Sequence, residues 1–140
     1  MNYAGLTVRD CMTTALVTVA PAEDLVRVVN RMVEAGISLL LVVESDDQLV
    51  GIVTERDCIG AAPAASYYGE PGGPVSKIMS TRLETLAPDD SLVDVAVQMS
   101  ASPHRGFPVV EEGRLVGLLT RRDVLSALNR GAAGDDSAGG

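Results

Sequence analysis

The chain repeats itself, and that duplication narrows the folds open to it more than any other feature. Met12, Leu16, Thr18, Ala20, Pro21, Leu25, Val28 and Met32 recur 67 positions later at Met79, Leu83, Thr85, Ala87, Pro88, Leu92, Val95 and Met99. After Val43 the offset becomes 66, matching Gly51, Thr54, Arg56 and Asp57 to Gly117, Thr120, Arg122 and Asp123. The lost residue falls between Glu44-Ser45-Asp46-Asp47-Gln48 and Glu111-Glu112-Gly113-Arg114, polar turn compositions where a length change is tolerated. A structural repeat slips in a turn and not inside an apolar run.

Each copy follows one pattern. A short strand (Leu16–Val19; Leu83–Leu86) ends at a proline. The helix after it is capped by Asp24 in the first copy and by Ser91 in the second, where Ser91-Leu92-Val93-Asp94 reads as a capping box. Its apolar face is Leu25, Val28, Val29, Met32 and Val33, and then Leu92, Val95, Ala96 and Met99. Gly36 and Pro103 stop these helices. A buried strand (Leu39–Val43; Phe107–Val110), a polar turn and a partner strand (Leu49–Val53; Leu115–Leu119) follow, then a last helix. The unit is β-α-β-β-α with a right-handed crossover, so the fold class is α+β. Motif one covers 7–62, a Gly/Pro/Ala-rich linker 63–74, motif two 75–130, and a tail predicted to be disordered 131–140.

The chemistry concentrates where the last strand meets the last helix. GIVTERD (Gly51–Asp57) and GLLTRRD (Gly117–Asp123) each place Thr-x-x-Asp at a helix start. That is a capping box, and it leaves the first backbone N–H groups of the helix facing outward, at an end that suits an anion such as phosphate. An aspartate one turn in accepts two hydrogen bonds from a sugar diol. The same residues also serve as plain helix caps, and the two roles are compatible.

Composition excludes several function classes. Of the 140 residues 46% are hydrophobic and 3% aromatic, so the core is Val, Leu, Ile, Ala and Met, and no stacking platform for single-stranded nucleic acid is available. A net charge of −8 argues against nucleic acid as a partner. Cys11 and Cys58 stand far apart with His104 as the single histidine, which falls short of a zinc set. The longest apolar uncharged run, Ile37–Val43, is far below the ~20 residues of a membrane span. With no signal peptide pattern, the sequence reads as a cytoplasmic protein. No acid/base pair, Walker loop or nucleophile elbow appears, so an enzyme is not expected and no catalytic or metal residue is assigned.

The doubled V-x-x-x-M-x-x-x-h-x-T-h-x-P, then h-P-V-V, then L-V-G-h-h-T-x-x-D, with h apolar, resembles a pair of CBS domains over about residues 7–130. The resemblance implies two motifs packed as one pseudo-two-fold module, with clefts between them that often hold AMP, ADP, ATP or S-adenosylmethionine. It also implies a homodimer and a separately encoded, unidentified partner protein that the module regulates. No cofactor is implied beyond an adenosine nucleotide as regulatory ligand.

Carried over by position, the second-copy site uses Asp123 for ribose and Thr120 for phosphate, with walls near Thr14, Ala15 and Leu16 and at Ile37 and Ser38. The resemblance places His104 and Arg105 near base and phosphate. The first-copy site uses Thr54 and Asp57, with walls near Thr81, Arg82 and Leu83 and around His104 to Phe107. Gly36-Ile37-Ser38 facing Pro103-His104-Arg105, and Leu41 where the second copy has Pro108, make the two sites chemically unequal. If one alone is occupied, Arg105 is the expected phosphate contact. The alternative is a dimerising scaffold whose clefts stay empty.

Overall fold

The computed structural model describes the backbone of residues 5–68 and 72–139, and the side chains among these outside 62–68 and 131–139. In chain order the elements are α1 (Val8–Cys11), β1 (Thr18–Val19), α2 (Leu25–Ala35), β2 (Leu39–Glu44), β3 (Gln48–Thr54), α3 (Glu55–Tyr68), α4 (Leu92–Ser100), β4 (Gly106–Glu111), β5 (Arg114–Thr120) and α5 (Arg121–Gly139). They form two compact units, Val17–Leu83 and Met1–Leu16 with Glu84–Gly140.

In the Val17–Leu83 unit, β1 lies parallel to β2, and β2 is antiparallel to β3 from Leu39 opposite Thr54 to Glu44 opposite Gln48. In the other unit β4 and β5 pair antiparallel from Gly106 opposite Thr120 to Glu111 opposite Arg114. There the expected opening strand Leu83–Leu86 is reduced to one parallel bridge, Leu86 to Val109. The two hairpins share a register slip at matching places, Val42/Val43 and Val109/Val110.

Their turns explain the change of offset. Glu112 and Gly113 make a two-residue turn with φ of 52° and 79°, whereas Ser45–Asp47 makes a three-residue one with Asp46 and Asp47 at 61° and 57°. Two consecutive positive φ values are what a tight antiparallel hairpin requires.

Helix α2 is capped as expected: Asp24 Oδ1 accepts from Val26 N at 3.2 Å, and Gly36 closes the helix at φ 64°. Its buried stripe is narrower than the periodicity predicts. Leu25, Val28 and Met32 are buried, but Val29 and Val33 are 37% and 75% exposed. The helix is apolar on two sides and its sheet covers one. Helix α4 departs at its cap, since the Ser91 side chain makes no capping bond. The carboxylate just before it does local work instead, with Asp90 Oδ2 accepting from Ala87 N at 2.9 Å.

Helical backbone also reaches further than composition predicts. α3 continues to Tyr68 through part of the predicted linker, and α5 continues to Gly139 through the predicted tail. Adding a residue to an existing helix is cheap once a turn is nucleated, and alanines at 61, 62, 64, 65, 132 and 133 are the best formers. Residues 69–71 of the linker and 140 of the tail lie outside the described residues.

The lead segment of each repeat is grouped with the body of the other copy. Thr13 bridges Leu118 on β5 (N to O 2.9 Å, and 3.0 Å in return), and Met12 packs over Gly117. Ser80 bridges Ile52 on β3 in the same way (2.7 and 2.9 Å), with Met79 over Gly51. Gly51 and Gly117 are needed there, because a Cβ at either would sit 2.5 Å from a methionine sulfur.

Candidate ligand site at the strand-to-helix corners

Both Thr-x-x-Asp corners are fully formed. At the first, Asp57 Oδ2 accepts from Thr54 N at 2.9 Å and Thr54 Oγ1 at 3.0 Å, while Asp57 N donates to Thr54 Oγ1 at 3.2 Å. At the second, the same bonds join Thr120 and Asp123 at 2.8, 3.0 and 3.2 Å. The strand delivers the threonine and the helix turns the aspartate back onto it. All four residues are half-buried, so each corner is anchored and still reachable.

This geometry divides the carboxylate. Oδ2 is saturated by the threonine, and Oδ1 faces away from the box. A carboxylate is acceptor-only, so the threonine hydroxyl proton points at Oδ2. At Thr120, which the resemblance gives as a phosphate contact, the hydroxyl donates within the capping box in this structure.

The other candidate residues divide between the two units. Thr14 and Ala15 are exposed and Leu16 half-buried, in the same unit as Thr120 and Asp123. Thr81 and Arg82 are exposed, in the same unit as Thr54 and Asp57. Ile37 and Ser38, placed by the sequence reading with the second-copy site, belong to the unit of Thr54 and Asp57, where Ser38 O accepts from Glu55 N at 3.0 Å. His104, Arg105 and Phe107 belong with Asp123. Arg105 is exposed, but Phe107 is fully buried in the core and backs the His104 ring edge-on at 6.3 Å. Its side chain therefore presents no surface of its own in this structure and reaches the site only through the His104 ring it backs.

Two features had no signal in the sequence. Thr13 Oγ1 donates to Asp123 Oδ1 at 3.2 Å, across 110 residues. Glu84 gathers Gln98 Nε2 at 3.1 Å, Ser102 Oγ at 2.9 Å and His104 Nε2 at 3.6 Å, and Arg121 holds Ser102 O at 3.1 Å. The bonds from Gln98 and Ser102, with His104 nearby, hold the Glu84 carboxyl below its ordinary pKa. In the first copy these places carry Val17, Arg31, Ala35 and Ile37, so the polar network belongs to one copy alone.

Both cysteines are free, and burial first, then nearby carboxylates (Asp10 for Cys11, Asp57 and Glu55 for Cys58), push their thiols above the ordinary pKa. No group of three His, Cys, Asp or Glu among the described residues is placed to hold a metal ion. No helix among them is long and apolar enough to cross a membrane.

Helices α2 and α3 enclose an apolar groove that includes Val29, Val33, Cys58 and Ile59, and α4 and α5 enclose one that includes Ala96, Met99, Leu125 and Leu128. Each contains residues left bare, with Ile59 71% and Leu125 64% exposed at matching repeat positions.

The CBS domain family matches residues 8–64 and 75–130. A CBS domain-containing protein of Bacillus subtilis, YhcV, is 32% identical over 117 residues, covering 84% of this chain and 81% of that protein. A 33.4 kDa protein from a ribosomal RNA operon of Thermofilum pendens is 37% identical over 108 residues, covering 77% of this chain and 35% of its own length. Among solved structures, CBSX2 in complex with AMP is 27% identical with a TM-score of 0.82, over 90% of this chain and 98% of that one. The CBS pair of MJ0100 in complex with 5′-methylthioadenosine and S-adenosyl-L-methionine is 26% identical with a TM-score of 0.74, over 91% and 98%. With the family matched twice and both signature corners formed, the chain belongs to the CBS domain family and carries two tandem CBS motifs.

Proposed function

We propose that this chain is a regulatory module that binds an adenosine compound at its Thr/Asp corners and passes that binding on to a separate protein in the cytoplasm. One observation carries the reading: each corner fixes its aspartate through Oδ2 in the cap and turns Oδ1 outward, with both acceptor sites of that oxygen open at Asp57 and one at Asp123. A fixed acceptor at a helix start fits a ribose diol, with the helix dipole favouring a phosphate or other negative group nearby. Similar structures in complex with AMP and with 5′-methylthioadenosine and S-adenosylmethionine support the adenosine class. His104 and Arg105 are the side chains offered to base and phosphate. Ligand changes the module's behaviour only through different affinity for two of its states. Catalysis is not part of the proposal.

The bare apolar grooves favour a second role beside the first. They are built on matching helix pairs and fit self-association, so the module acts as a homodimer. Isothermal titration with AMP, ATP and S-adenosylmethionine tests the ligand reading. Saturable binding at millimolar or lower concentration supports it. No heat with any of the three leaves only the dimerising scaffold with empty sites.

A further inference from the structure

The two aspartates are held alike by their own threonines but differ in what else they touch. Asp57 Oδ1 has no hydrogen-bond partner among the described residues, whereas Asp123 Oδ1 accepts from Thr13 Oγ1 at 3.2 Å. The residue matching Thr13 is Ser80, and its backbone makes the equivalent bridge, to Ile52. Its hydroxyl makes no hydrogen bond among the described residues. Thr13 is β-branched and stiff at χ1, while a serine hydroxyl rotates more freely, so a one-methyl difference separates a fixed donor from a loose one.

Counting acceptor sites gives the consequence. Each carboxylate oxygen accepts about two hydrogen bonds. Oδ2 uses both on the threonine N–H and O–H at either corner. Oδ1 keeps both at Asp57 but one at Asp123. A ribose donating from its 2′ and 3′ hydroxyls needs two.

We infer that Thr13 is a specificity-determining residue that makes the two corners unequal: Asp57 takes a nucleoside diol directly, and Asp123 takes it only when the Thr13 hydroxyl turns away. The inference rests on the proposed function, and it names which of the two sites fills first. A compound with a single free ribose hydroxyl matches the one acceptor left at Asp123, so the corners also differ in the ligands they prefer.

The test uses adenosine, which has the diol and no phosphate, with one corner disabled at a time. Asp→Asn keeps an oxygen for the threonine cap and replaces the ligand-facing acceptor with a donor. Asp123→Asn, with the Asp57 corner intact, is expected to bind adenosine roughly tenfold more tightly than Asp57→Asn, the size of one hydrogen bond to a charged acceptor. Adding Thr13→Val to Asp57→Asn is expected to recover that tenfold, and Thr13→Ser, which leaves a donor as loose as that of Ser80, to recover a substantial part of it. Melting curves of each variant confirm that the lead segment stays docked. Equal affinity at the two corners, or no gain from Thr13→Val, overturns the inference while leaving the nucleoside reading standing. An absence of adenosine and AMP binding in the unaltered protein overturns both.

Discussion

The Thr54 hydroxyl donates to Asp57 Oδ2 at 3.0 Å and accepts from Asp57 N at 3.2 Å, so the aspartate that is the candidate ligand contact is also half of the cap. Removal of the aspartate therefore disturbs two properties together. Asp57→Ala is expected to lower stability by about 1 kcal/mol, the usual worth of a cap, and to weaken nucleotide binding. Asp57→Asn separates them, keeping most of the stability and losing the binding at that corner while the Asp123 corner still binds more weakly. Urea unfolding alongside titration with AMP reads both. Equal stability loss in the two variants would show that the charge, and not the cap, holds the corner.

Gly117 is held against Met12 and Gly51 against Met79. A Cβ at Gly117 meets Met12 Sδ at 2.5 Å and Cγ at 3.0 Å, whereas at Gly51 it also meets the backbone Ser80 O at 3.1 Å. Both alanine variants are expected to lose about 1–3 kcal/mol. Met12→Ala should relieve most of the Gly117→Ala cost, because side-chain atoms alone obstruct it. Met79→Ala should relieve less at Gly51, since a carbonyl does not move aside. Double-mutant cycles on urea midpoints measure the difference.

Most of the architecture was legible from the repeat. The succession of elements, the hairpin positions and the Thr/Asp corners follow from apolar periodicity and from a slip confined to a turn, and local chemistry decides them. What failed was decided elsewhere. Val29 and Val33 share the helical stripe with Met32, and only the extent of the sheet shows that they stay bare. The threonine hydroxyl's orientation follows from a carboxylate already in place, and Thr13 reaches Asp123 across 110 residues, a contact that neither end announces. The Glu84 network joins residues from three separate segments, each ordinary by itself.

Glu84 gives a pH signature. Its pKa is lowered in the folded protein from the ordinary 4.5, so the unfolded chain binds more protons in that range and stability rises with pH. The contribution is complete above 4.5 and is lost as pH falls through the folded value. Glu84→Gln keeps acceptor capacity without titrating. Its melting point is expected to lie below that of the unaltered protein at neutral pH and to converge with it in acid. A constant gap from pH 7 to 3 would show that Glu84 is not linked to folding.

Val33 and Leu125 are the barest members of the two helix-pair faces. Val33→Asp and Leu125→Asp are each expected to leave the melting point within about 0.5 kcal/mol, as surface substitutions do. Both should shift sedimentation equilibrium toward monomer. Retention of the same oligomeric state in both variants would assign the grooves to something other than self-association.

If adenosine compounds meet this protein at the two strand-to-helix corners, amide chemical shifts report it residue by residue. Titration of isotope-labelled protein with AMP is expected to move the signals of residues 54–57 and 120–123 saturably, with those of His104 and Arg105. Signals that stay still at both corners, or move only along the α2/α3 and α4/α5 grooves, would contradict it.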